Sequence, residues 1–163
     1  MAEMNEKLIK EAVGKMRDFS AESTLFAENG GKELPSRDAV TGILKDLRRI
    51  LFPGYFPGSD DAGALLARIC ENLREQVALA LAFEGKTSDA ESRAEEVRDL
   101  FCKKIPDIQR LLEKDVRATF DGDPAANGTD EIIVSYPGIV AIYIYRAAHV
   151  LYEEKVPMIP RMM

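Results

Sequence analysis

Apolar residues recur along most of this chain at intervals of three and four, the spacing that lines one face of an α-helix. Leu8, Ile9, Ala12, Val13 and Met16 set that pattern over residues 1–18, with charged residues between them, and predict an amphipathic first helix. Asn29-Gly30-Gly31 and Pro35 then mark residues 19–35 as a loop or linker. Ser36 offers an N-cap for a helix through about Leu51, with Ile43, Leu44, Leu47, Ile50 and Leu51 on one face. The run Phe52-Pro53-Gly54-Tyr55-Phe56-Pro57-Gly58 stops this helix. It is too apolar for a free linker and should form a packed corner.

Ser59, Asp60 and Asp61 mark the next helix start, with acids at the positive end of the dipole. Leu65, Leu66, Ile69, Cys70, Leu73, Val77 and Leu81 follow as one stripe ending near Gly85, which makes Cys70 a small apolar core residue. Ser88-Asp89-Ala90-Glu91 fits a capping box opening a helix through Val97, Leu100, Phe101 and Ile105. Pro106 should break or restart it, and Ile108, Leu111, Leu112, Val116 and Phe120 continue to Asp121-Gly122. Beyond an acidic turn at 121–131, Ile132-Ile133-Val134 and Ile139–Tyr145 suit a strand pair on propensity alone. Pro137 at a helical first turn, followed by an unbroken run to Tyr152, argues instead for one buried helix over about 137–154. The fold class expected is all-α, a bundle of about six to eight helices.

Composition supports one ordinary domain with a short extension: 163 residues, 46% hydrophobic and 31% charged. The net charge of −6 disfavours nucleic acid and anionic membranes as partners. No apolar run approaches the roughly 18–20 residues of a membrane span, and the charged N-terminal stretch has no signal-like apolar core. Cys70 and Cys102 stand 32 positions apart without a CxxC, and so read as reduced thiols of a cytoplasmic protein. The single histidine, His149, excludes a His-rich zinc site, and its expected place is a buried or half-buried helix position bonded to a neighbour.

Chemistry has few places to reside. Gly30-Gly31 leads into no phosphate-binding motif, and Arg48-Arg49 and Lys103-Lys104 read as solvated helix faces. Asp121, Asp123, Asp130 and Glu131 crowd one turn, but without the ligand spacing of a calcium loop. That turn is either a plain surface turn or a place where a fixed carboxylate holds an ammonium group.

The order of several segments resembles the N-terminal helical domain of bacterial serine O-acetyltransferases over residues 34–163. These segments are Leu34-Pro35-Ser36-Arg37, Leu51-Phe52-Pro53-Gly54-Tyr55-Phe56, Gly122-Asp123-Pro124-Ala125-Ala126, Tyr136-Pro137-Gly138, Tyr145-Arg146 with His149, and Val156-Pro157-Met158-Ile159-Pro160-Arg161-Met162. The resemblance implies transfer of acetyl from acetyl-CoA to the hydroxyl of L-serine, in cysteine biosynthesis. It also implies a trimer, or a dimer of trimers, assembled through a left-handed β-helix that residues 1–163 do not include. The catalytic histidine, the CoA groove and the C-terminal tail that docks O-acetylserine sulfhydrylase belong to that missing part.

The family pattern carries one site residue onto this chain: Asp123, which matches the aspartate reaching toward the substrate amino group. Asp115 and Arg146 match family positions but read as packing and ion-pairing residues, and His149 does not match the catalytic histidine. The expected organisation is an arm and linker at 1–34, the helical domain at 35–156, and the start of a connection at 157–163. No catalytic, cofactor or metal-binding residue is expected in the chain, which alone should be inactive, as a monomer or a dimer. The alternative is a stand-alone helical oligomerisation or interaction module without catalysis.

Overall fold

The computed structural model describes residues 2–26, 31–58, 60–85 and 88–163, with side chains from residue 5 onward. They form two compact units, residues 1–33 and 34–163. Seven helices and no strand occur among the described residues.

The first unit is α1 (Ala2–Glu22), which runs past the expected end at residue 18. Leu8, Ile9, Met16 and Phe19 on it are exposed. The hydroxyl of Ser23 accepts the backbone N–H groups of Leu25 and Phe26, turning the chain after the helix. Asn29 and Gly30 of the expected loop lie outside the described residues.

The second unit opens with α2 (Arg37–Leu51), and Ser36 caps it as expected, its Oγ accepting from Ala39 N at 3.3 Å. The N–H of Ser36 donates to Oε1 of Gln76 at 2.6 Å, and Gln76 is a buried polar residue of the next helix. The corner after α2 is packed. Phe52 is buried and meets Phe56 and Tyr143 edge-on, while the Arg48 guanidinium lies 3.6 Å from the Phe56 ring centroid. Arg49 bonds Asp60 at 3.2 Å and lies 3.5 Å from Asp46. Arg48-Arg49 is therefore not a solvated pair; both side chains close the corner. A Cβ on Gly58 would overlap the Arg49 guanidinium, so a larger residue there would displace the Arg49 side chain.

Helix α3 (Ala62–Phe83) is capped by Asp61, whose carboxylate accepts from Ala64 N at 2.8 Å. Ser59, also expected at this start, lies outside the described residues. Helix α4 (Ala90–Gly122) corrects two expectations. Its N-cap is Asp89 without a side-chain bond, so the capping box does not form, and Glu91 instead reaches Arg74 of α3 at 2.6 Å. Pro106 lies inside the helix without ending it. An interior proline costs about 3 kcal/mol, but Val97, Phe101, Ile105, Ile108, Leu112 and Val116 keep one continuous buried face across it. Burial of that face outweighs one missing hydrogen bond.

Helices α5 (Thr129–Ser135) and α6 (Pro137–Glu153) meet at a 72° bend, and α7 (Ile159–Met162) follows. The strand alternative fails because Ile139, Tyr143, Ala147 and Leu151 are buried at helical spacing. Helix α4 packs against α2, α3, α5 and α6 and is the centre of the unit. Among the described residues no single helix is long and apolar enough to cross a membrane.

The cysteines contradict the expectation of two reduced thiols. Cys70 of α3 and Cys102 of α4 form a disulfide, with Cα atoms 6.6 Å apart. Thirty-two residues of separation concealed that α3 and α4 pack side by side and bring the two positions together. Cys70 is accordingly half-buried at that interface and not a core residue.

Candidate functional site

The site is built where α4 ends. Asp123 is the C-cap of α4, and the following Pro124 cannot continue the helix. Its Oδ1 accepts the N–H of Ala125 at 2.9 Å, a local turn typical of Asp, and its backbone carbonyl accepts from Ala126 N at 3.1 Å. Its Oδ2 accepts the hydroxyl of Tyr136 at 2.7 Å. Tyr136 stands at the bend between α5 and α6, where Pro137 occupies the first position of α6 and needs no N–H partner.

The rest of the turn is tied down in the same way. Tyr55, from the packed corner, donates its hydroxyl to Asp130 at 2.6 Å across 75 residues of sequence. Glu131 accepts both the backbone N–H and the side-chain amide of Asn127. Two tyrosine–carboxylate bonds thus fasten the acidic turn at Asp123 and at the start of α5. Asp121 is exposed.

These contacts set the electrostatics. The Tyr136 hydroxyl and then the Ala125 amide hold the Asp123 carboxyl below its ordinary value of 3.8, against a smaller opposing effect of burial. The same bond pushes the Tyr136 phenol above 10.0. Asp123 is an oriented, half-buried anion with one donor on each oxygen, and the remaining lone pairs are free for an external donor.

A depressed carboxyl pKa makes the native contribution of this bond present above pH 3.8 and lost as the pH falls through the lower native value. Tyr136→Phe removes the larger of the two stabilising bonds. We expect the Asp123 carboxyl to titrate closer to its ordinary value in that variant, as read by carboxyl carbon chemical shifts. An unshifted titration would assign the effect to Ala125 alone.

Arg146 of α6 grips Asp115 of α4 through two bonds of 2.7 and 2.8 Å, an ion pair joining the two helices. His149 lies between the rings of Tyr145 and Tyr152, with Nε2 3.5 Å from Glu153. The imidazole is thus exposed and beside Glu153, not at the buried or half-buried, hydrogen-bonded position expected for it. The described residues contain no cluster of three or more His, Cys, Asp or Glu side chains placed to hold a metal.

A cleft of about 450 Å³ opens between the corner and α4, floored by Phe52, Leu112, Val116 and Ile133. Asp123 does not line it. Sequence reasoning missed Tyr55 and Tyr136 as carboxylate holders. Their partners lie 75 and 13 positions away, and no local pattern connects them.

No protein-family profile matches the chain. A serine acetyltransferase of Synechococcus elongatus, plasmid-encoded by its name, is 35% identical over 144 residues, covering 78% of this chain and 45% of that protein. A serine acetyltransferase of Bacillus subtilis is 42% identical over 53 residues, 32% of this chain and 24% of that protein. Among solved structures, Entamoeba histolytica serine acetyltransferase 1, crystallised in complex with L-cysteine, superposes with a TM-score of 0.63 at 30% identity. That match covers 81% of this chain and 46% of the other. The native form of the same enzyme gives 0.63 at 28% identity, over 91% of this chain and 56% of the other. The chain spans less than half the length of these curated relatives. It is therefore homologous to the serine acetyltransferases, and the homologous part is all-helical.

Proposed function

We propose that this chain is the helical portion of a serine O-acetyltransferase, which transfers acetyl from acetyl-CoA to the hydroxyl of L-serine and supplies the O-acetylserine of cysteine biosynthesis. The observation that carries this reading is the 35% identity to the Synechococcus elongatus relative over 78% of this chain. Because the match spans 45% of that relative, the acetyl-CoA groove and the catalytic base are assigned to the remaining part. The only histidine of this chain sits on the outer face of α6 between two tyrosines.

In this reading Asp123 binds the substrate ammonium group. Its ionised state and fixed aim suit a charge-assisted hydrogen bond to an amine, and Tyr136 and Ala125 keep it in place. The helical portion also supports assembly of the trimer or dimer of trimers, and contact with O-acetylserine sulfhydrylase belongs to the C-terminal part. The cytoplasm is the proposed compartment.

The test is a thiol-release assay with acetyl-CoA and L-serine. The 163-residue chain should release no CoA above background. Joined to the remaining part of the Synechococcus elongatus relative, residues 34–163 should give serine-dependent release. Robust turnover by the chain alone, or a folded chimera without serine-dependent release, would overturn the assignment.

A further inference from the structure

We propose that Cys70 and Cys102 are a thiol–disulfide exchange site that braces α4 at its interior proline, with low-molecular-weight disulfides as oxidant and dithiols as reductant. The inference is independent of the acetyltransferase reading. It rests on where the two cysteines sit. Pro106 has no N–H, so the carbonyl of Cys102, four residues earlier, receives no hydrogen bond from it. The residue that loses its ladder bond is the one joined covalently to α3. A crosslink at that point replaces, through the neighbouring helix, a restraint the helix itself lacks.

The stretch of α4 beyond the gap leads to the candidate site. The C-terminal part of α4 carries Asp115, which anchors α6 through Arg146, and ends at Asp123. With the disulfide closed, residues 103–122 continue from a pinned position. With it open, α4 is held at that point by its remaining ladder bonds and by side-chain packing.

Both cysteines keep part of their surface exposed, so the pair is not sealed in the core. Arg74 lies one turn beyond Cys70 and Arg98 one turn before Cys102, and both are paired with carboxylates, Arg74 with Glu71 and Glu91 and Arg98 with Asp99. The chemistry balances without any further cofactor. One cysteine thiolate attacks a small disulfide and expels one small thiolate. The second cysteine then attacks the mixed disulfide and expels the other. The two cysteine protons end on the two departing thiols, so the protein pair is oxidised as the small disulfide is reduced.

The experiment uses the 163-residue chain equilibrated with oxidised glutathione or with dithiothreitol. Intact mass should show loss of two hydrogens and no glutathione adduct in the first case, reversed in the second. Closing a loop of this length should raise Tm by roughly 7–15 °C. Amide exchange across residues 103–122 should slow on oxidation several-fold more than exchange in α2. Pro106→Ala restores the ladder bond, so in that variant the redox effect on 103–122 should shrink while the Tm difference persists.

Stable glutathione adducts on the separate cysteines would overturn the exchange site. An intramolecular disulfide that leaves exchange over 103–122 unchanged, or a Pro106→Ala variant with the full redox difference, would overturn the brace.

Discussion

On the proposed function, Asp123→Asn introduced into the chimera of residues 34–163 with the remaining part of the Synechococcus elongatus relative should raise the KM for L-serine roughly 10- to 100-fold, the range of a lost charge-assisted hydrogen bond. The KM for acetyl-CoA should stay the same. Asparagine keeps the shape of the side chain and can still accept a bond from Tyr136 or Ala125. It removes the negative charge proposed to hold the substrate amine, at the cost of one of the two acceptor oxygens. If the carboxylate binds serine equally in the ground and transition states, kcat changes little and the whole loss appears in KM. Circular dichroism of the variant should be unchanged, because Asp123 caps the end of α4 and is not part of the core. Unaltered serine kinetics would remove Asp123 from the site. An equal loss with serine and with acetyl-CoA would point to a disturbed fold.

Phe101→Ala should cost the helical unit about 3–5 kcal/mol, the range for emptying a fully buried aromatic site. Phe101 is 0% exposed and lies on the face of α4 that faces the core. Helix α4 packs against four other helices, so its neighbours can relax only partly into the space. Urea unfolding under reducing conditions isolates the cavity from any crosslink. The midpoint should fall with an unchanged m-value. A cost of about 0.5 kcal/mol or less, the scale of a typical surface change, would mean that the centre of α4 is not the centre of the core.

The helices could be read from the sequence because a 3.6-residue period is a local property of the chain. Leu47, Ile69, Leu73, Val77 and Leu81 stand in the core where their spacing put them. So does the Ser36 cap, whose bond spans only three residues. The errors share one cause. Pro106 has a strong local preference to end a helix, but the buried face running from Val97 to Val116 overrides it. Ser88 and Glu91 had capping-box spacing, yet Arg74 on α3 competes for Glu91. In each case a partner distant in sequence outweighed the local signal.

The candidate site divides along the same line. Asp123 stood out in the sequence because an Asp-Pro pair in an acidic turn, in a familiar order of segments, can be recognised residue by residue. The bonds that make it a fixed anion could not be seen there. Tyr136 reaches Asp123 only after the α5–α6 bend has turned it back, and Tyr55 reaches Asp130 from the corner after α2.

By itself the sequence determined the helical class, the extent of the main apolar faces, the packed corner and the one aspartate to watch, all from periodicity, turn chemistry and segment order. Only the tertiary structure decided that α4 runs unbroken through its proline, that Cys70 meets Cys102, and that two tyrosines hold the acidic turn. Those features depend on which helix faces lie side by side, and that proximity is set by burying all the apolar faces at once, not by any one stretch of chain.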